Sequence, residues 1–390
     1  MRSVVVAGAS LAGLSAARRL RERGFDGTIT LIGDEPHLPY QRPPLSKQFL
    51  TGAWERPKLD LRVPDAQFEW RLGTRAERLD CARRVVHLQD GDAIPFDGLI
   101  VATGARPKQF SGCEEVDGIF TLRTVDDAAA IRERIARGVR KVAIVGAGFI
   151  GCEVASSLRK LGCDVTLIDM DRLPMQRVLG ETLGSICADL HRSHGVHLEL
   201  GVKYAGMVGS PAVGGVRLED GRIVEAEIVI VGIGVAPNVE WLRDSGLELG
   251  DGVICDAACA AGERIVAAGD VARWNHPRYG SLRVEHWDNA IAQGEAAAET
   301  LVAAPGSAQP FAMTPFFWSD QHDCKLQLIG MAQRTDELRF VEGTPETKRF
   351  VAVFLRDGRV VAAFLFNSMH RALAYKKLVE SGGSLEAVAS

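Results

Sequence analysis

Two glycine loops and the acids that follow them carry most of the chemistry legible in this chain. The first loop, Gly8-Ala9-Ser10-Leu11-Ala12-Gly13, ends the β-branched run Val4-Val5-Val6. The second, Gly146-Ala147-Gly148-Phe149-Ile150-Gly151, ends Val142-Ala143-Ile144-Val145. Glycines at a strand end let the chain turn tightly, let backbone N–H groups approach a diphosphate, and let the next helix pack close to the strand. The positive end of that helix then stabilises the diphosphate charge. An acid is required at the end of the next strand, about 20 residues on, to accept hydrogen bonds from a ribose. Asp34 and Glu35 both stand just beyond the predicted strand 28–32 and share that role as candidates. Asp169 ends the predicted strand 165–168. The second loop has all three glycines, whereas Ser10 takes the middle position of the first and narrows it. A carboxylate at Asp169 repels a 2′-phosphate and predicts NADH over NADPH, with Arg172 and Arg177 nearby to soften the preference.

Each loop opens a similar plan. The first half runs to the buried strand 99–101, closed by Ala102-Thr103-Gly104 and Pro107; the second runs to strand 228–231, closed by Gly232, Gly234 and Pro237. Two α/β nucleotide domains of similar build are therefore expected. A short strand before Gly269-Asp270, a helix from about Glu285 to Val302 and a linker over 303–310 follow. Apolar alternation at 325–329, 349–355 and 360–366 predicts antiparallel strands, with a last helix over about 371–381.

The 390 residues suffice for two or three domains, and the net charge of −4 provides no broad basic field for nucleic acid. No apolar run reaches the length of a membrane span, and the short first run enters a charged helix with no cleavage region, so neither an anchor nor a signal peptide is expected. The eight cysteines, at 81, 113, 152, 163, 187, 255, 259 and 324, form no Cys-x-x-Cys and lack partners at metal spacing. Reduced, structural thiols in a cytoplasmic protein with no metal site are the expectation.

With these motifs in place, the chain resembles the FAD-dependent pyridine nucleotide-disulfide reductase superfamily, and within it the NADH-dependent ferredoxin reductases that serve oxygenases and cytochromes P450. The resemblance spans the chain. Beyond the loops it rests on Tyr40-Gln41-Arg42-Pro43-Pro44-Leu45-Ser46-Lys47, Ala102-Thr103-Gly104, Ala268-Gly269-Asp270, Glu285-His286-Trp287-Asp288-Asn289-Ala290 and Pro315-Phe316-Phe317-Trp318-Ser319-Asp320-Gln321.

The resemblance implies two Rossmann-like three-layer α/β domains plus a C-terminal α+β domain: FAD-binding over 1–112 and 247–312, NAD-binding over 113–246, and an interface domain over 313–390. It places Gly8, Ser10, Leu11, Ala12 and Gly13 at the FAD diphosphate, Arg42 and Lys47 at the flavin nucleotide, and Asp270 at the ribityl chain. Ala102, Thr103, Gly104, Glu285, His286 and Trp287 complete the FAD contacts, and Trp318 lies beside the isoalloxazine. Glu153 pairs with Lys47 beside the nicotinamide. Gly146, Gly148, Phe149, Ile150, Gly151, Asp169 and Gly234 hold NADH. Lys47, Glu153 and Trp318 are the expected catalytic residues. A cation at Lys47 and the helix beginning near Glu285 both favour negative charge on a reduced flavin.

Residues 38–47 contain no cysteine, where disulfide reductases of the superfamily carry their redox thiols. Electrons are then expected to leave the flavin edge directly for a docked [2Fe–2S] ferredoxin. Lys376, Lys377 and Arg371 on the last helix offer a basic docking face for it. A monomer or weak homodimer is anticipated. The alternatives are a rubredoxin reductase, an NADH oxidase, or an interaction protein resembling apoptosis-inducing factor.

Overall fold

The computed structural model describes residues 1–63, 68–111 and 116–385. Cys113, the expected boundary at 112/113 and the last five residues of the expected C-terminal domain lie outside the described residues. The chain forms two compact units: Met1–Gln41, Leu59–Arg106 and Ala236–Phe316 make the first, and Arg42–Lys58, Pro107–Val235 and Phe317–Ser390 the second.

The first unit is built on a six-stranded sheet in the order Ala260–Gly262, Ile265–Ala267, Gly98–Val101, Ser3–Ala7, Thr28–Gly33, Glu69–Leu72. Only the outermost pair, Ala260–Gly262 with Ile265–Ala267, is antiparallel; the other pairings are parallel. Parallel strands are covered on both faces, which is why Val4-Val5-Val6 and Leu99-Ile100-Val101 read as unbroken apolar runs. Helices Leu11–Glu22 and Trp287–Val302 supply the covering layer. The second of these begins two residues later than the sequence suggested. His286 keeps extended backbone (φ −112°, ψ 141°) as the N-cap, and the Glu285 carboxylate is held 2.9 Å from the Arg283 guanidinium.

The second unit repeats the plan with a wholly parallel sheet: His197–Leu200, Asp164–Asp169, Lys141–Val145, Ile228–Val231, Ile119–Phe120. The same unit holds a five-stranded antiparallel sheet in the order Phe316–Gln321, Cys324–Gly330, Arg359–Phe366, Arg349–Arg356, Glu337–Thr344, beside helix Ala372–Ser381. One apolar core joins them, with Ile144, Leu158 and Leu190 in the same cluster as Leu326, Leu328, Phe350 and Phe364. The sequence foresaw three of these five strands. Glu337–Thr344 escaped it because this is an edge strand, charged and largely exposed, without clean alternation. Helices Val125–Ala136, closed by a Thr124–Asp127 capping box, and Gln176–Ser193 were likewise not anticipated. No described helix is long and apolar enough to cross a membrane.

Candidate functional site

In the first unit the glycine loop is fixed by steric need. Gly8 has φ +122°, and a Cβ there would lie 2.0 Å from the Ala102 carbonyl oxygen. A Cβ on Gly13 would lie 1.9 Å from the Gly8 carbonyl oxygen. Ser10 caps helix Leu11–Glu22 without using its side chain for the cap, and Leu11 and Ala12 form the first turn behind it. The first-turn N–H groups are thus left without a Ser10 side-chain cap. Of the two candidate acids, Asp34 is exposed, whereas the Glu35 carboxylate accepts a 2.5 Å hydrogen bond from Tyr40.

The Ala102–Gly104 turn has a structural duty of its own. Thr103 Oγ1 donates to the Asn238 carbonyl at 2.8 Å, and Asn238 Nδ2 donates back to the Thr103 carbonyl at 2.9 Å. The Thr103 hydroxyl therefore serves the loop. Asp270 sits in the 3₁₀ turn Gly269–Val271, whose Gly269 N–H donates to the buried Gln293 amide oxygen at 2.9 Å. Burial pushes the His286 imidazole down to about 4, with the Asp270 carboxylate opposing, so this ring is neutral at neutral pH. Trp287 is the first helical residue after it.

In the second unit the three loop glycines separate by role. Gly146 (φ +113°) and Gly151 are required by packing, since their Cβ atoms would fall 2.2 Å from the Gly232 carbonyl oxygen and 1.9 Å from that of Gly146. Gly148 is different. Its φ of −75° suits any residue, and a Cβ there meets nothing within 4 Å. Neither strain nor packing explains this glycine. Ile150, in the first helical turn beside it, is 48 % exposed, while Phe149 packs on Phe317 at 4.2 Å between ring centroids. Gly234, at φ +98°, accepts at its carbonyl from the Lys108 N–H at 2.9 Å.

Asp169 ends its strand as expected, and its carboxylate is already engaged. Oδ2 accepts from the Ala147 N–H at 2.5 Å and Oδ1 from the Asp171 N–H at 2.8 Å. The acid therefore ties the glycine loop to the strand end. Asp169→Ala is expected to weaken NADH binding by roughly 1–3 kcal/mol and to narrow the gap between NADH and NADPH. Steady-state kinetics with both nucleotides measures this, and equal wild-type efficiency with the two would refute the assignment.

Lys47 and Glu153 meet, as the resemblance implied. Lys47 Nζ lies 2.6 Å from Glu153 Oε2, with their side chains 10 % and 3 % exposed. Glu153 stands on helix Phe149–Lys160, one turn past Gly148. Lys47 directly follows the 3₁₀ turn Pro43–Ser46. Ser46 Oγ also donates to Glu153 Oε2, at 2.5 Å, and Ser319 Oγ donates to Oε1, at 2.8 Å. Three donors thus converge on one buried carboxylate, as a buried charge requires. Sequence reasoning assigned no role to Ser46 or Ser319, although both lie inside motifs it singled out. In the same unit Arg42 donates to the Arg123 carbonyl at 2.7 Å, and Trp318 is half-buried on the strand face opposite Ser319. Arg371, in the 3₁₀ turn before the last helix, is held against Glu342 at 2.6 Å, while on the helix Lys377 is exposed and Lys376 half-buried.

The pattern described as pyridine nucleotide-disulphide oxidoreductase matches residues 2–294, and that described as reductase C-terminal matches residues 316–390. The anthranilate 1,2-dioxygenase system ferredoxin–NAD(+) reductase component of Burkholderia cepacia is 37 % identical, over 97 % of this chain and 94 % of its own. The rhodocoxin reductase of Rhodococcus erythropolis is 36 % identical, over 97 % of this chain and 89 % of its own. Among solved structures, the covalent putidaredoxin reductase–putidaredoxin complex matches with a TM-score of 0.91 at 31 % identity, over 97 % of this chain and 93 % of that one. With both glycine loops, their acids and its C-terminal sheet accounted for, this chain belongs to the pyridine nucleotide-disulphide oxidoreductase family.

Proposed function

We propose that this protein is an NADH-dependent FAD flavoprotein that passes electrons to a small [2Fe–2S] ferredoxin feeding an oxygenase or cytochrome P450. The observation that carries the reading is a pair of dinucleotide cradles in a chain with no cysteine anywhere in residues 38–47. The relatives named above act as ferredoxin, rhodocoxin or putidaredoxin reductases, which supports the same partner chemistry. FAD, when bound, supplies the acceptor for a hydride and the means to release electrons singly. The chain's own task is binding, orientation and electrostatics. Gly8, Ser10 and Gly13 cradle the FAD diphosphate, with Asp34 or Glu35 at the ribose and Asp270 at the ribityl chain. Gly146, Gly148 and Gly151 cradle NADH. By resemblance, Arg42, Lys47 and Trp318 serve the flavin, in domains divided at 1–112 with 247–312, 113–246 and 313–390. A cytoplasmic location fits reduced cysteines; burial pushes the Cys187 and Cys259 thiols up to about 12, which makes them poor redox relays.

The purified protein should be yellow and release FAD on denaturation. NADH-driven cytochrome c reduction should be fast only after a [2Fe–2S] ferredoxin is added. Fast oxygen consumption without ferredoxin would instead identify an NADH oxidase, and a colourless protein that cannot be reconstituted with FAD would overturn the reading.

A further inference from the structure

The Lys47–Glu153 pair is one end of a longer polar chain inside the second unit. Ser319 Oγ, which donates to Glu153 Oε1, accepts from Gln321 Nε2 at 3.1 Å. Gln321 Oε1 lies 3.1 Å from His191 Nε2, and His191 Nδ1 lies 3.0 Å from His322 Nε2. The His322 ring stacks on His194 at 4.1 Å, and His194 Nε2 reaches Asp323 at 3.4 Å, where the chain meets solvent. Ser319, Gln321 and His191 are wholly buried, and Glu153 and His322 nearly so.

The direction of every bond follows from the carboxylate. Glu153 only accepts, so Ser319 gives its single hydrogen to it and must accept from the Gln321 amide nitrogen. The Gln321 carbonyl then accepts, which puts the His191 hydrogen on Nε2 and leaves Nδ1 as an acceptor. His322 in turn carries its hydrogen on Nε2. These tautomers are assigned from the network. Both rings are neutral at neutral pH. Burial pushes His191 down to about 4, with Gln321 opposing and His194 adding to the fall. Burial pushes His322 down to about 3, helped by His191, His194 and the Lys160 ammonium and opposed by Asp323.

Local structure builds this line. Ser319 and Gln321 share one face of strand Phe316–Gln321, two residues apart. His322, at φ +55°, turns the chain back toward strand Cys324–Gly330, and its N–H is held by Ser156 of the helix that carries Glu153. An apolar core would need none of these groups, and each would be costly if left unpaired.

We propose that Gln321 and His191 are positioning residues for electron transfer from NADH: through Ser319 they aim a line of aligned donors at Glu153, and so fix the carboxylate and the Lys47 ammonium it holds. The proposal rests on the functional reading of the Lys47–Glu153 pair. Aligned N–H and O–H dipoles polarise one another and present their positive ends to the carboxylate. A break at His191 leaves the Gln321 amide held only through its nitrogen, by Ser319 at 3.1 Å and Met175 Sδ at 3.5 Å, and so loosens its aim at the Ser319 hydroxyl.

The test uses the FAD-loaded full chain. His191→Phe should keep its FAD and its apparent NADH affinity but slow flavin reduction in stopped flow by roughly tenfold, as loss of one bond in a buried network predicts. His191→Gln, which retains a donor toward Gln321, should recover most of the rate. A role in packing alone would favour the ring of Phe over Gln. An independent readout is ¹⁵N-histidine NMR. Glu153→Gln should shift the His191 and His322 ring signals in the wild-type background, and Ser319→Ala should abolish that response. Unmoved ring signals, or a His191→Phe enzyme as fast as wild type, would overturn the proposal. Lys47→Met run alongside separates the two ideas: if it is slow while His191→Phe is fast, only the chain fails, and if it is fast, the reading of the pair fails first.

Discussion

A Lys47→Met enzyme should retain FAD and accept hydride from NADH roughly 10²–10³-fold more slowly, as loss of one preorganised charge from a reacting site does. Met preserves most of the aliphatic length and removes only the ammonium, so packing is a minor part of the effect. The ammonium is 2.6 Å from Glu153 Oε2 in a setting only 10 % exposed, where charges act with little solvent screening. The substitution also strands the Glu153 carboxylate with two hydroxyl donors. Breaking a buried pair in this way costs about 3–5 kcal/mol of stability. The double variant Lys47→Met/Glu153→Gln removes the stranded charge and should recover much of that stability without recovering the rate. Stopped-flow flavin reduction and thermal unfolding on the same three proteins read the two effects separately. A single variant that reduces flavin at the wild-type rate would demote Lys47 to a structural residue.

Gly148→Ala and Gly151→Ala should behave oppositely. A Cβ at Gly148 meets no atom within 4 Å and its φ of −75° needs no glycine, so the protein should fold with its stability nearly unchanged. The added methyl occupies the space assigned to the NADH diphosphate. Overpacking of about 1–3 kcal/mol corresponds to NADH binding roughly 10–100-fold weaker. At Gly151 the Cβ would lie 1.9 Å from the Gly146 carbonyl oxygen, so helix Phe149–Lys160 cannot keep its approach to the loop. That variant should lose stable folding of the second unit. Thermal melts with calorimetric titration of NADH distinguish them. Normal NADH binding by Gly148→Ala would remove this loop from the nucleotide site.

What this sequence determined by itself is local or strictly periodic. Strands Ser3–Ala7, Gly98–Val101, Lys141–Val145 and Ile228–Val231 are legible because both faces of a parallel sheet are covered, which forces continuous apolar runs. The loops are legible because a left-handed turn at Gly8 or Gly146 and a tight approach at Gly13 or Gly151 admit one residue type. Asp169 follows from strand length, and Lys47 and Glu153 from motifs whose order the family shares. Helix starts were less secure: the chain stays extended through His286, with Glu285 2.9 Å from Arg283, and the helix begins at Trp287.

Only the tertiary structure decided what surrounds Glu153. Ser319 reaches it across 166 residues, and Gln321 reaches His191 across 130. Serine, glutamine and histidine follow no apolar period, and each is more often solvated than buried, so nothing in their local sequence announces a network. They become one chain because the C-terminal antiparallel sheet shares its core with the helices of the second parallel sheet, which removes water from the seam and leaves each polar group to find its partner there.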